Sequence, residues 1–406
     1  MRAKWFVLPA LLLVAVALAL GPAREASTQA KAPDAILVGA TLAITGPFSG
    51  EVGVFKKMME TWAETVNAKG GIMLREYGKR VPLKFIIYDD TSKPPDSQRL
   101  YEKLITEDKV ELVMGPYSSP VTKAASTVSE KYKKIMVASL AAETAIWERG
   151  FKYLFMTISP AEVYVEGVID LAAERGLKTV AVINEDTSFA RAAAAGSVDL
   201  AKRKGMRVLF HDAYPKGTTD FSGLLIRIKA VNPDVIVGGS YFDDAVATTR
   251  QMKELDVNPK MFGVTVGGDV PDFGTQLGKL AEYVYGSTQW SDDVRYPGVK
   301  EFVANYKKMF KRDFSYHAPA AWSACQVFAE AIRRANSVDS DSIREQLLKL
   351  RMRTAFGDYQ VDERGFQVAH KMVTIQWQDG RRVTVWPSQL AEHQPLFPTP
   401  AWSQRR

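Results

Sequence analysis

Two adjacent serines carry the most chemistry in this sequence. Ser118 and Ser119 stand in "GPYSSP" (115–120), after the apolar run "VELVM" (110–114) and before a small-residue helical pattern. Gly-Pro turns the chain out of a buried strand, and Pro120 suits the first turn of a helix. A helix beginning there leaves N–H groups facing two hydroxyls at the positive end of its dipole. That combination suits an anion, a carboxylate above all. The same serines serve equally well as plain helix caps, and the loop alone does not separate the two readings.

No catalytic partner set accompanies them. G-x-S-x-G, H-E-x-x-H and G-x-x-x-x-G-K-[ST] are absent, and no G-x-G-x-x-G opens a helix after the first strand. The histidines, His211, His317, His370 and His393, are scattered without metal-ligand spacing. Asp89-Asp90 and Asp243-Asp244 are adjacent acids at strand ends, where caps and solvated groups are the ordinary occupants. No catalytic residue, metal or cofactor is expected, and the protein is not read as an enzyme.

The other strand-end loops offer binding chemistry instead. "TGPFSG" (45–50) sets Phe48 where it can lie over a pocket. "ASLAAET" (138–144) presents Ala141 and Ala142 with Glu143 beside them. Small side chains let a ligand approach the backbone, and they equally let a strand and helix pack tightly. "EDTSFAR" (185–191) and "GGSYFDD" (238–244) bring Phe189 and Tyr241, which read either as an aromatic wall or as ordinary packed rings.

These loops need a scaffold, and the chain supplies one by alternation. "ILVGATLAI" (36–44) is a buried strand. Val52, Phe55, Met59, Trp62 and Val66 then mark a helix by their alternating three- and four-residue spacing. Strands follow at 83–88, 110–114, 134–138, 178–183, 207–212, 234–239 and 260–265, with helical patterns between them. The fold class expected is α/β: two doubly wound parallel-sheet lobes, with breaks near 157–160 and 284–291. "QDGR" (378–381) reads as a hairpin turn, and 388–406 as a poorly packed tail.

The 406 residues are 46% hydrophobic and carry a net charge of +7, with both signs interspersed and no basic run, so no nucleic-acid partner is expected. Arg2 and Lys4, then the apolar "WFVLPALLLVAVALALG" (5–21), then a small polar stretch, form the layout of a secretory signal peptide over residues 1–26. The single cysteine, Cys325, allows no intramolecular disulfide and sits in a helical pattern as a buried thiol.

Taken in order, "ATLAITGPFSGEVG", "NAKGGI", "FIIYDDTSKPPDSQRLYEKLITEDKVELVMGPYSS", "ERGFKYLF", "DVIVGGSY" and "WQDGRRVTVWP" resemble the type I periplasmic solute-binding proteins of ABC importers, the leucine/isoleucine/valine-binding group in particular. The resemblance implies two lobes joined by a three-crossover hinge, 34–157 plus 290–355 and 158–289 plus 356–390, with 391–406 as a tail. It implies a carboxylate held by Ser118 and Ser119, a ligand backbone met by Ala141 and Ala142, and an aromatic closure by Phe189 and Tyr241. Binding is thereby favoured over simple capping. Three departures accompany it. Val266, beside Gly267 in "VTVGG" (264–268), stands where an acid pairs with the ligand's α-ammonium in the amino-acid binders. Alanine replaces a threonine in the fourth loop, next to Glu143. Tyr117 takes the place of a cysteine.

The function implied is capture of a small carboxylate ligand and its delivery to ABC permease subunits, by a periplasmic monomer. The alternative is a ligand-sensing module of the same fold. Glu143, Asp243 and Asp269 are the acids placed to replace the missing ammonium partner. Export should remove residues 1 to about 26 and leave an unlipidated protein, since no cysteine lies near the apolar run. Mass spectrometry of the secreted form checks this, and an intact Met1 would contradict it.

Overall fold

The computed structural model describes Met1 and residues 32–405, apart from 53, 54, 240, 295, 297, 298, 312 and 392. The expected leader, Met1 aside, lies outside the described residues. The chain opens with β1 (Ile36–Leu42), α1 (Ser49–Val52), α2 (Phe55–Asn67), β2 (Ile72–Leu74), β3 (Lys79–Val81), β4 (Leu83–Asp89), α3 (Pro94–Thr106), β5 (Leu112–Met114), α4 (Ser119–Lys131), β6 (Met136–Ala138) and β7 (Leu154–Met156). The strands of this stretch, except the short antiparallel pair β2–β3, form a parallel sheet in the order β4-β1-β5-β6-β7. Helix α2 buries Phe55, Met58, Met59 and Trp62, the stripe its spacing predicts, and shows water its lysines and Glu64.

A second run follows: α5 (Glu166–Glu174), β8 (Thr179–Glu185), α6 (Ser188–Arg203), β9 (Arg207–Tyr214), α7 (Ser222–Val231), β10 (Val235–Gly239), α8 (Phe242–Glu254), β11 (Met261–Val264), α9 (Pro271–Leu277) and β12 (Tyr285–Thr288). Three helices come next, α10 (Val299–Phe310), α11 (His317–Ala335) and α12 (Ser340–Lys349), then β13 (Met352–Arg353), β14 (Asp358–Tyr359), β15 (Val373–Gln378) and β16 (Arg381–Trp386). The second sheet runs β16-β15-β12-β11-β10-β8-β9. Its last two strands are antiparallel additions closed by the turn at Asp379-Gly380, both with positive φ (51° and 72°). Buried side chains of α11, among them Ala321, Ala324, Cys325 and Phe328, join the first sheet's core, so 299–349 completes the first lobe.

Three readings need correction. Strands β7 and β12 were not foreseen as strands; with three and four residues, they offer too short a pattern. The segment 356–369, expected with the second lobe, packs on the first. Phe356, Tyr359 and Val361 are buried in its core, and Gly365 O accepts from Met156 N of β7 at 2.8 Å. The tail is anchored to the second lobe: Leu396 N donates to Gln376 at 2.8 Å, Thr399 N to Lys260 O at 3.0 Å, and Trp402 Nε1 to Val257 O at 2.9 Å.

The three crossings meet in one buried polar knot. Ser159 N donates to Gln289 Oε1 (2.9 Å), Gln289 Nε2 to Ser159 O (3.3 Å), and Ser159 Oγ to His370 O (3.1 Å). His370 Nε2 contacts Gln289 O at 2.9 Å, and burial pushes the imidazole down to about 4. Beside the first crossing, Gly196 of α6 lies against the turn Ala161–Val163. A Cβ there would stand 2.0 Å from Glu162 O. Gly196→Ala should therefore cost about 1–3 kcal/mol through backbone displacement. A thermal melt unchanged from the parent would refute this.

Candidate functional site

Each sheet reverses its winding at one point. In the first sheet this lies between β1 and β5, in the second between β8 and β10. Crevices outside the carboxyl ends of strands at such points are where open α/β sheets bind ligands. The loop after β1 carries Phe48, that after β5 carries Ser118, the turn after β8 leads to Phe189, and the turn after β10 holds Tyr241. The four loops face one another across a chamber between the lobes.

From the first lobe the chamber is lined by Tyr117, Ser118, Ser119, Leu140 and Ala142. From the second come Phe189, Tyr241 and Val266. Tyr164, just past the first crossing, and Tyr316, just before α11, close its sides. Its room is about 10 Å³, barely that of one water molecule. This is a shut cleft, since drug-sized ligands need several hundred Å³. A roomier cavity of about 830 Å³ lies among α2, α10 and α11, but it gathers none of the strand-end loops.

The serine loop is asymmetric. Ser119 Oγ accepts from Ala142 N at 3.0 Å and Glu143 N at 3.1 Å, which ties the loop after β5 to the loop after β6. Ser118 occupies the N-cap position of α4 with φ 81°, yet its side chain makes no capping bond. It is 3% exposed, and its Oγ has no hydrogen-bond partner. Capping does not explain this hydroxyl. The unpaired Ser118 hydroxyl lies beside the N-terminus of α4, among the residues that line the chamber.

The remaining wall is aromatic. Phe48 packs edge-on to Tyr117 (5.4 Å) and against Tyr241 (5.0 Å), Phe189 lies 5.6 Å from Tyr241, and Tyr164 lies 5.0 Å from Phe189. The hydroxyls of Tyr164 and Tyr316 approach to 3.4 Å. Behind them His317 stacks on Tyr316 and bonds Ser315 Oγ at 2.6 Å through Nδ1, while burial lowers its pKa to about 3. A neutral imidazole adds no charge to the chamber.

Of the residues named from sequence, Ser118, Ser119, Ala142, Phe189, Tyr241 and Val266 line the chamber directly. Phe48 backs it. Ala141 is fully buried behind Ala142. Gly267 shapes it without lining it: a Cβ there would meet Tyr241 O at 2.4 Å, so the bare backbone lets the Tyr241 loop settle. None of the three acids proposed as ammonium partners lines the chamber. Glu143 pairs with Lys123 at 3.7 Å. Asp243 is exposed. Asp269 accepts from Tyr316 N (2.8 Å) and pairs with Arg382 (3.2 Å), with burial raising it to about 6. Tyr117, Leu140, Tyr164 and Tyr316 were missed as site residues; the first two stand in loops the sequence had singled out, while no local pattern marks Tyr164 and Tyr316, which the crossings bring here.

Fold and site together define a two-lobed solute-binding protein. Residues 35–382 match the family described as periplasmic binding protein, and the chain belongs to that family. It is 26% identical over 369 residues to Leu/Ile/Val-binding protein homolog 7 of Brucella suis, covering 85% of this chain and 90% of the relative. The branched-chain amino acid transporter substrate binding protein LivJ of Streptococcus pneumoniae, solved with isoleucine, shares the fold at TM-score 0.77 and 19% identity, over 90% of this chain and 100% of that one. A solute binding protein of an ABC transporter from Rhodopseudomonas palustris, solved with 3,4-dihydroxybenzoic acid, superposes at TM-score 0.75 and 22% identity, over 91% and 99%. Members of this family bind solutes and are not enzymes.

The serine asymmetry has a measurable consequence. Ser119→Ala strands two buried N–H groups and should lower unfolding free energy by about 1–3 kcal/mol. Ser118→Ala removes a hydroxyl without a partner and should leave it within about 0.5 kcal/mol. Denaturant unfolding of both variants checks the ranking, and equal losses would refute it.

Proposed function

We propose that this protein is the extracytoplasmic capture component of an ABC importer, and that its ligand is a small carboxylate with an apolar or aromatic body. One observation carries the reading. The Ser118 hydroxyl and the N-terminus of α4 face, across one chamber, a wall of Phe189, Tyr241 and Val266. The hydroxyls of Ser118 and Ser119 would hold the carboxylate, with Ala142 leaving room beside them, and the aromatic rings would cover the body. Closure would join two half-sites that neither lobe completes alone, so ligand would raise the closed population. The closed form would then be handed to the membrane permease.

Among proteins of this fold, one relative binds isoleucine and another 3,4-dihydroxybenzoic acid. The chamber favours the second kind. A buried α-ammonium needs a counter-charge, or its desolvation is uncompensated. Val266 occupies that wall, and none of Glu143, Asp243 and Asp269 lines the chamber. The family and the absence, among the described residues, of any helix able to cross a membrane accord with an exported carrier.

A thermal-shift panel tests the ligand class, comparing benzoate, hydroxybenzoates and branched aliphatic acids with leucine, isoleucine and valine. A true ligand at 100 times its Kd adds about 2.7 kcal/mol, a rise of about 5 °C. The amine-free acids should give it, and Ser118→Ala should shrink it. Stabilisation by the three amino acids alone would overturn the reading.

A further inference from the structure

The helix that opens the second lobe's half of the site has no cap of its own. Tyr241 is the N-cap residue of α8, and its side chain makes no capping bond. The donor is met from the other lobe. Phe242 N, in the first turn of α8, donates to Glu51 Oε1 at 3.1 Å. Glu51 belongs to α1, two residues after Ser49, on the loop that carries Phe48. It is 3% exposed, and its second oxygen, Oε2, has no partner.

We propose that Glu51 is the latch of the cleft: a positioning residue whose carboxyl crosses from the first lobe to cap a second-lobe helix, and so sets the closed population. The inference rests on the two-lobed capture reading above. A bond that exists only when the lobes meet contributes to closure and to nothing within either lobe. A carboxyl at a helix N-terminus satisfies an orphan N–H, whether it is ionised or neutral. Phe48, three residues earlier, contacts Tyr241 from the same loop. The latch therefore draws the aromatic cover shut together with the helix.

Its surroundings make the latch sensitive to protons. Asp243 and Asp244 stand in the first turn of α8, and Glu185 ends β8. Asp272 and Asp313 share a cavity of about 390 Å³ with Glu51. Tyr117 and Tyr316 are the neutral titratable neighbours. The cation on this side is Lys216, 4.2 Å over the Phe48 ring. Burial, reinforced by Asp243 and Glu185, raises Glu51 from 4.5 to about 7 in the closed arrangement. In the open form the carboxyl regains water and its ordinary value. Closing thus takes up a proton. The contribution to closure is complete below the ordinary carboxylate pKa and is lost as pH rises through about 7. A neutral acid still accepts the Phe242 bond through its carbonyl oxygen, while charge repulsion from its acidic neighbours disappears.

Single-molecule energy transfer between the lobes tests this without any added ligand. Cys325 is fully buried, so cysteines introduced at the exposed positions Arg99 and Lys253 take the dyes selectively. The closed fraction of the doubly labelled parent should fall as pH is raised from about 5 to about 9. E51Q keeps an acceptor oxygen and cannot titrate, so its closed fraction should fall clearly less than the parent's over this range, the remaining slope coming from Asp269, which accepts from Tyr316 N across the lobes. E51A loses the acceptor, and its closed-to-open ratio should drop about tenfold at low pH. Parent-like closure in E51A overturns the latch, as does a parent-like pH profile in E51Q or a parent without pH dependence. If E51A does not fold, the E51Q profile decides alone.

Discussion

Gln289 exchanges two hydrogen bonds with Ser159, and its carbonyl meets the ring of His370. One residue from each of three chain crossings is therefore held in a single buried knot. The rest of the molecule depends on this constraint. Both lobes are assembled from discontinuous pieces, and the covalent links that set their relative placement all pass through this knot. A fully desolvated polar group is costly to leave unpaired, and the knot satisfies its members mutually. Such a joint resists sliding while it permits rotation about the crossings, which is the motion a cleft needs.

From that joint the two switch points are brought face to face. Each sheet alone offers a shallow crevice at its strand ends. Set opposite one another, the crevices become a chamber with a donor-bearing face and an aromatic face. The division of chemistry between lobes has a physical sense. The anion side is built from backbone and short hydroxyls, which are rigid and hold their geometry when the cleft opens. The apolar side is built from rings, whose attraction is non-directional and grows with the area buried on closing. On the proposed reading, the directional half-site would orient the ligand and the non-directional half-site would drive closure.

How much of this was legible in the sequence depended on the range of the interaction involved. The serine loop could be read because turn, proline and hydroxyls fall within six residues. The alternation of strands and helices gave the two-sheet architecture for the same reason. Strands β7 and β12 escaped because three or four residues carry no period. The 356–369 segment was placed in the wrong lobe because its attachment, Gly365 to Met156, joins residues far apart in sequence. The tail looked loose by composition, and its prolines and glutamines do little packing. A few anchors hold it, chiefly Trp402 to Val257 and Leu396 to Gln376. Tyr164 and Tyr316 reach the chamber only because the crossings carry them there.

The acids show how a binding site can change its preference without losing charge. Glu51, Glu185, Asp244 and Asp269 are all buried near the interlobe surfaces, so the region is not short of carboxylates. None of the four lines the chamber. Asp269 is held by Arg382 and Tyr316 N, Asp244 by the hydroxyl of Tyr214, and Glu51 by Phe242 N. Each of these three has an oxygen on a structural donor, and burial pushes the carboxyls of Glu51, Glu185, Asp244 and Asp269 up, towards the neutral form. A carboxyl that is neutral and already bonded cannot balance a ligand's ammonium. The wall that faces the ligand is left to valine and aromatic rings, and the negative groups behind it bear on lobe contact and its response to protons. On the reading proposed above, selectivity would follow from where the acids lie rather than from how many there are.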